Sequence, residues 1–159
     1  MKDVLCMSEQ MPDLFKWNKK EYIFIGASDI YTLFDPKRYG LEPEAPHTAC
    51  WKGFIIYFSV RKEQLYIDKL EVHCDNGIYP KINGVKAKDK TRFRNFHVYN
   101  KLNIPLKYTG TIIIGEHLNE RFRNRTFTGP YSYDITYELK FEEGILLDFK
   151  ETSGTYDGF

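Results

Sequence analysis

The chain has 159 residues, of which 23 are basic and 22 acidic, and 42% are hydrophobic. That composition suffices for a buried core without disulfides or metal and excludes intrinsic disorder as the default state. Its longest purely apolar runs, Phe54-Ile55-Ile56-Tyr57-Phe58 and Ile112-Ile113-Ile114, fall far short of the roughly 18 residues of a membrane-spanning helix.

The first ten residues contain Lys2 but no apolar stretch of signal-peptide length, so a cytoplasmic chain is expected. Three cysteines, Cys6, Cys50 and Cys74, fit a reducing compartment better than a disulfide framework. The compositional outlier is the aromatic share, with 12 Tyr, 12 Phe and 2 Trp. Such residues suit half-buried pleated surfaces and point to β structure.

In chain order, residues 1–20 form an N-terminal segment in which Met11 to Trp17 has the only helical spacing of apolar residues. Glu21 to Ala27 and Ile30 to Phe34 read as strands. Residues 35–50 hold Pro36, Pro43 and Pro46 and read as a surface loop, too proline-rich to continue a sheet. A hairpin is written from Trp51 to Val72 around the polar turn Arg61-Lys62-Glu63-Gln64. Its returning strand changes parity between Leu65/Ile67 and Leu70/Val72, which calls for a β-bulge near Asp68-Lys69 or burial on both faces.

Ile82-Asn83-Gly84-Val85 carries the strongest short hairpin signal, and Pro80 makes it an edge pairing. Arg92 to Tyr99, Leu102 to Leu106 and Tyr108 to Gly115 add three strands. From Tyr131 to Phe141, apolar and polar residues alternate without a break, as in a strand with one buried face. Glu142-Glu143-Gly144 then predicts a three-residue turn, after which Ile145, Leu147 and Phe149 take the buried parity. The expectation is one all-β domain over 1–159. Its form would be an antiparallel β-sandwich or open barrel of about nine short strands, with at most a short N-terminal helix.

Charge is balanced only in sum: residues 1–80, 81–125 and 126–159 carry −2, +8 and −5. In the basic block, Arg92 and Arg94 project from one strand face, and Arg121, Arg123 and Arg125 repeat the spacing. This block could meet phosphates or acidic protein, or could be neutralised across the sheet by the acidic tail. The tail presents Asp134, Glu138, Glu142, Glu143, Asp148 and Glu151. These carboxylates could capture a basic partner or serve only as edge protection and solubility.

His47-x-x-Cys50 with His73-Cys74 brings four residues of zinc-ligand type. Adjacent residues on a strand point to opposite sides, however, and Cys50 borders an apolar strand where a buried thiol needs no ligand, so no metal or other cofactor is expected. The sequence has no Gly-x-Ser-x-Gly elbow, phosphate-binding glycine loop or His-Glu-x-x-His motif, and no enzyme is expected. Asn124-Arg125-Thr126 matches a glycosylation acceptor, which has no use in a cytoplasmic chain.

The segments Thr48-Ala49-Cys50-Trp51-Lys52-Gly53-Phe54, Leu65-Tyr66-Ile67-Asp68-Lys69-Leu70, Tyr79-Pro80-Lys81-Ile82-Asn83-Gly84 and Leu102-Asn103-Ile104-Pro105-Leu106 lead into Tyr108-Thr109-Gly110. Together they resemble a group of small bacterial proteins of the toxin-immunity type. The resemblance implies a non-enzymatic inhibitor that binds and occludes a cognate toxin, with the acidic hairpin as docking surface. The alternative is a β-rich module that binds RNA or a glycan through the basic residues and exposed aromatics.

Overall fold

A computed structural model describes residues 10–89, 95–118 and 133–152. Nine strands make up the sheet: β1 (Leu14–Trp17), β2 (Lys20–Ala27), β3 (Phe54–Arg61), β4 (Gln64–Val72), β5 (His97–Tyr99), β6 (Ile104–Pro105), β7 (Gly110–Leu118), β8 (Tyr133–Glu142) and β9 (Ile145–Glu151). Seven follow one another around a closed cylinder in the order β3-β1-β2-β7-β8-β9-β4, and the β3–β4 hairpin completes the ring. The expected sandwich or open barrel is therefore a closed one. Closure depends on a pairing between distant segments, parallel β1 against β3, with Phe15 opposite Phe58. β5 and β6 add to β4 on the side away from β3.

The expected helix over Met11–Trp17 is instead strand β1. Its apolar residues span less than two helical turns, and Asn18 and Lys19, both at positive φ, turn the chain back so that Phe15 pairs with Tyr22. Conversely, Ile30–Leu33, expected as a strand, is one helical turn, α1, whose entry Asp29 caps by accepting from the Thr32 N–H. The proline-rich loop contains a 3-10 turn at Pro36–Tyr39 and is anchored by the buried Leu41.

Local signals survive intact. The β3–β4 register steps from Tyr57 opposite Lys69 to Phe58 opposite Ile67, so Asp68 is the extra residue of a bulge, the first of the two alternatives that the parity slip left open. Asn83 and Gly84 adopt φ of 48° and 77° and join Ile82 to Val85 in a single bridge. The strand expected from Arg92 is described only over His97–Tyr99.

Aromatic residues fill the cylinder. Phe58 lies 5.2 Å from Phe24 and 6.1 Å from Phe15, while Trp17 meets Tyr22, Tyr137 and Phe149 at centroid distances of 5.9, 5.3 and 4.9 Å. Ile112, Ile114, Leu139 and Phe141 close the wall behind them. Tilted and edge-on ring pairs of this kind add about 0.5–1.5 kcal/mol each beyond area burial. This packing accounts for the aromatic excess of the composition.

One carboxylate is buried with the core. Asp13 accepts from the Ile56 N–H at 2.8 Å and from Lys52, and its carbonyl accepts from the Phe24 N–H at 2.9 Å. It thereby ties the start of β1 to both β2 and β3. Among the described residues, no helix is long and apolar enough to cross a membrane.

Candidate functional site: the acidic hairpin and its open edge

The six carboxylates singled out in the sequence all lie on or at the turn of one element, the β8–β9 hairpin. Asp134, Glu142, Glu143, Asp148 and Glu151 are exposed, and Glu138 is half-buried. Cross-strand register places Lys140 opposite Asp148 and Glu138 opposite Lys150. The Lys150 ammonium sits 3.6 Å from the Glu138 carboxylate, so the hairpin partly neutralises its own charge. At the turn, the Glu143 N–H donates to the Thr109 hydroxyl at 2.9 Å, holding the loop against the β6–β7 connection.

The turn itself differs from expectation. Glu143 and Gly144, at φ of 50° and 83°, form a two-residue loop between Glu142 and Ile145. A second bulge follows, because Phe141 opposes Leu146 while Lys140 opposes Asp148, leaving Leu147 without an opposite residue. The shorter turn shifts the parity read from the sequence by one residue, putting Leu146 on the core side, and the bulge shifts it back, so that Phe149 shares the face of Leu139 opposite it and meets Trp17. Leu146 is the buried residue of the apolar run, whereas Ile145, Leu147 and Phe149 are 42%, 55% and 54% exposed. Ile145 and Leu147 therefore form an apolar patch among the carboxylates, and the sequence placed both in the core. The run Ile145-Leu146-Leu147 is apolar on both parities, the one sign that its facing was undetermined.

β9 is also where the barrel wall is thinnest. It is laddered to β8 along its length but to β4 at one position, Gln64 opposite Ile145. Two backbone bonds flank that contact, from the Leu65 N–H to the Gly144 carbonyl (2.9 Å) and from the Leu146 N–H to the Glu63 carbonyl (2.8 Å). Beyond Leu146, no strand among the described residues pairs with the far side of β9.

Other sequence candidates fare differently. Arg92, Arg94, Arg121, Arg123 and Arg125, and with them Asn124, lie outside the described residues. His47 Nδ1 accepts from the Ala49 N–H, and both ring nitrogens of His73 are engaged, with the Asn95 carbonyl and the Asp75 carboxylate, each at 2.7 Å. Cys50 and Cys74 are buried free thiols whose pKa is pushed up by desolvation. No group of three His, Cys, Asp or Glu among the described residues is arranged to hold a metal ion.

A groove of about 350 Å³ opens between α1, the 3-10 turn and β6. Leu33, Phe34, Tyr39 and Leu106 line it, with Thr32, Asp35, Arg38 and Lys107 at its polar positions.

The geometry thus defines a small closed β-barrel whose most distinctive surface is a charged, apolar-centred hairpin. Comparison with protein-family models, with curated proteins and with solved structures finds no match to this chain.

Proposed function

We propose that the protein is a non-enzymatic inhibitor of the immunity type, which binds a cognate toxin domain through the outer face of the β8–β9 hairpin. The observation that carries this reading is the coincidence, on one rigid element, of exposed Ile145 and Leu147 with the carboxylates of Asp134, Glu142, Glu143 and Asp148. Apolar anchors beside carboxylates are what a protein interface uses to bind and to speed the approach of a basic partner, and Lys140 and Lys150 offset only part of the acidic charge. The resemblance noted in the sequence supports the partner class.

The test is co-expression with the product of the adjacent gene. A complex should form, and cells should be rescued from that product. Leu147→Asp should weaken the complex at least tenfold, and Glu142→Gln with Glu143→Gln should slow association and flatten its salt dependence. Absence of both complex and rescue overturns the reading.

A second reading, a binding module for RNA or a glycan, draws support from the groove bearing Arg38 and Lys107. In the same preparation it would show as salt-sensitive oligonucleotide binding lost on Arg38→Gln.

A further inference from the structure

The stretch of β9 beyond Leu146 combines three properties: no strand among the described residues is laddered to its far edge, its length is bounded, and its charges are ordered. The Thr152 N–H donates to the Thr136 carbonyl at 2.9 Å, which sets the phase of the β8–β9 ladder. Hydrogen-bonding direction alternates along an antiparallel strand, so the N–H groups of Lys150 and Asp148 face β8 while those of Glu151 and Phe149 face away. In agreement, the Phe149 N–H donates to its neighbour's carboxylate, Asp148 Oδ1, at 2.9 Å. The available edge begins after Leu146, whose N–H is held by Glu63, and ends with the strand at Glu151.

Edge strands are usually guarded by charge, and this one carries Asp148 and Lys150. Against most incoming strands these two side chains are a deterrent. Against a second copy of the same strand, running antiparallel about a two-fold axis, they are a match in one register. Centring the axis on Phe149 sets Asp148 opposite the other copy's Lys150 and Lys150 opposite its Asp148, giving two opposite-charge cross-strand pairs.

Other two-fold registers fail on charge or on hydrogen-bond direction. An axis at Asp148, Lys150 or Glu151 opposes identical charges, and an axis between residues opposes an outward-facing N–H with an inward-facing one. The favoured register pairs Leu147 through Glu151, the same stretch that β4 leaves open. It also brings two Phe149 rings, each 54% exposed and already edge-on to a Trp17, together at the axis.

We infer that the protein forms a two-fold homodimer by antiparallel pairing of β9 with the β9 of a second copy, in the register centred on Phe149. The sheet then runs continuously from β8 through both β9 strands to the second β8. This inference uses the edge of β9 rather than its outer face and does not depend on the toxin-binding reading. Its test needs this chain alone.

Light-scattering mass across a dilution series should rise from one 18.9 kDa chain to two. Asp148→Lys sets lysines opposite lysines, and Lys150→Asp sets aspartates opposite aspartates, so each variant alone should remain at one chain. Mixed together, the two variants become complementary and should form a heterodimer, which also shows that each is folded. The double variant D148K/K150D, complementary to itself, should recover the dimer. A wild-type mass of one chain at every concentration overturns the inference. So does a dimer indifferent to Asp148→Lys, or a mixture of the two single variants that fails to associate.

Discussion

Asp13 shows how much of the architecture can depend on one side chain. It is 6% exposed, yet it accepts from Lys52 and from the Ile56 N–H, and so fixes where the parallel β1 strand meets β3. Replacing it with Ala strands a buried N–H and removes the lysine's partner. We expect Asp13→Ala to cost about 2–4 kcal/mol in urea unfolding, with Asp13→Asn costing less because an amide oxygen still accepts from Ile56. Equal losses for the two variants would show that the Ile56 bond contributes little. Nothing in the sequence marked this residue, which lies inside Met11 to Trp17, the stretch whose spacing read as a helix. Its partner is 43 positions away.

At the scale of elements, the hairpins separate what is local from what is not. The Asn83-Gly84 turn and the bulge at Asp68 were legible because each depends on residues within a few positions: a glycine able to hold positive φ, a break in alternation. β8 was legible for the same reason near its turn, with Leu139 and Phe141 inward and Lys140 outward, whereas Thr136 on its polar parity is fully buried against Thr152. β9 was misread at Ile145, Leu146 and Leu147 because a one-residue difference in turn length changes which of them face the core, and the bulge at Leu147 restores the expected facing from Phe149 onward.

That turn is fixed by more than its own backbone. A Cβ on Gly144 would stand 1.8 Å from the Leu106 carbonyl oxygen, in addition to the strain of φ +83°. Gly144→Ala should therefore destabilise the fold by more than about 2 kcal/mol, whereas Glu143→Gly, at φ 50°, should leave the melting temperature nearly unchanged. A mild effect of Gly144→Ala would indicate that the β6–β7 connection can move aside.

For the whole molecule, burial of phenols ties stability to alkaline pH. Desolvation raises the pKa of Tyr99 from 10.0 to about 12, and Tyr22, Tyr39 and Tyr79 move in the same direction. The folded state holds these protons more tightly than the unfolded chain does. Their contribution is complete below pH 10.0 and is lost as pH rises toward about 12. Thermal unfolding across that window should show a falling melting temperature, and Tyr99→Phe should flatten the fall while forfeiting the hydrogen bond to the Pro80 carbonyl. A pH-independent melting temperature would contradict the buried-phenol account. Barrel closure, like the aromatic packing, joins segments far apart in sequence, which is why composition indicated rings in a β-rich core but not the cylinder that holds them.

The single ladder position joining β9 to β4 has a consequence for how this cylinder comes apart. Releasing Gln64 from Ile145, with the two backbone bonds beside it and the bonds from the Glu143 and Gly144 N–H groups to Thr109 and Tyr108, unrolls the barrel into an open ribbon while every hairpin stays laced. Such a seam is the least expensive route to a large fluctuation, so opening starts here rather than at the long β3–β4 or β7–β8 ladders. Amide protons on Leu65 and Leu146 then exchange with solvent together, well before those of the strands they join.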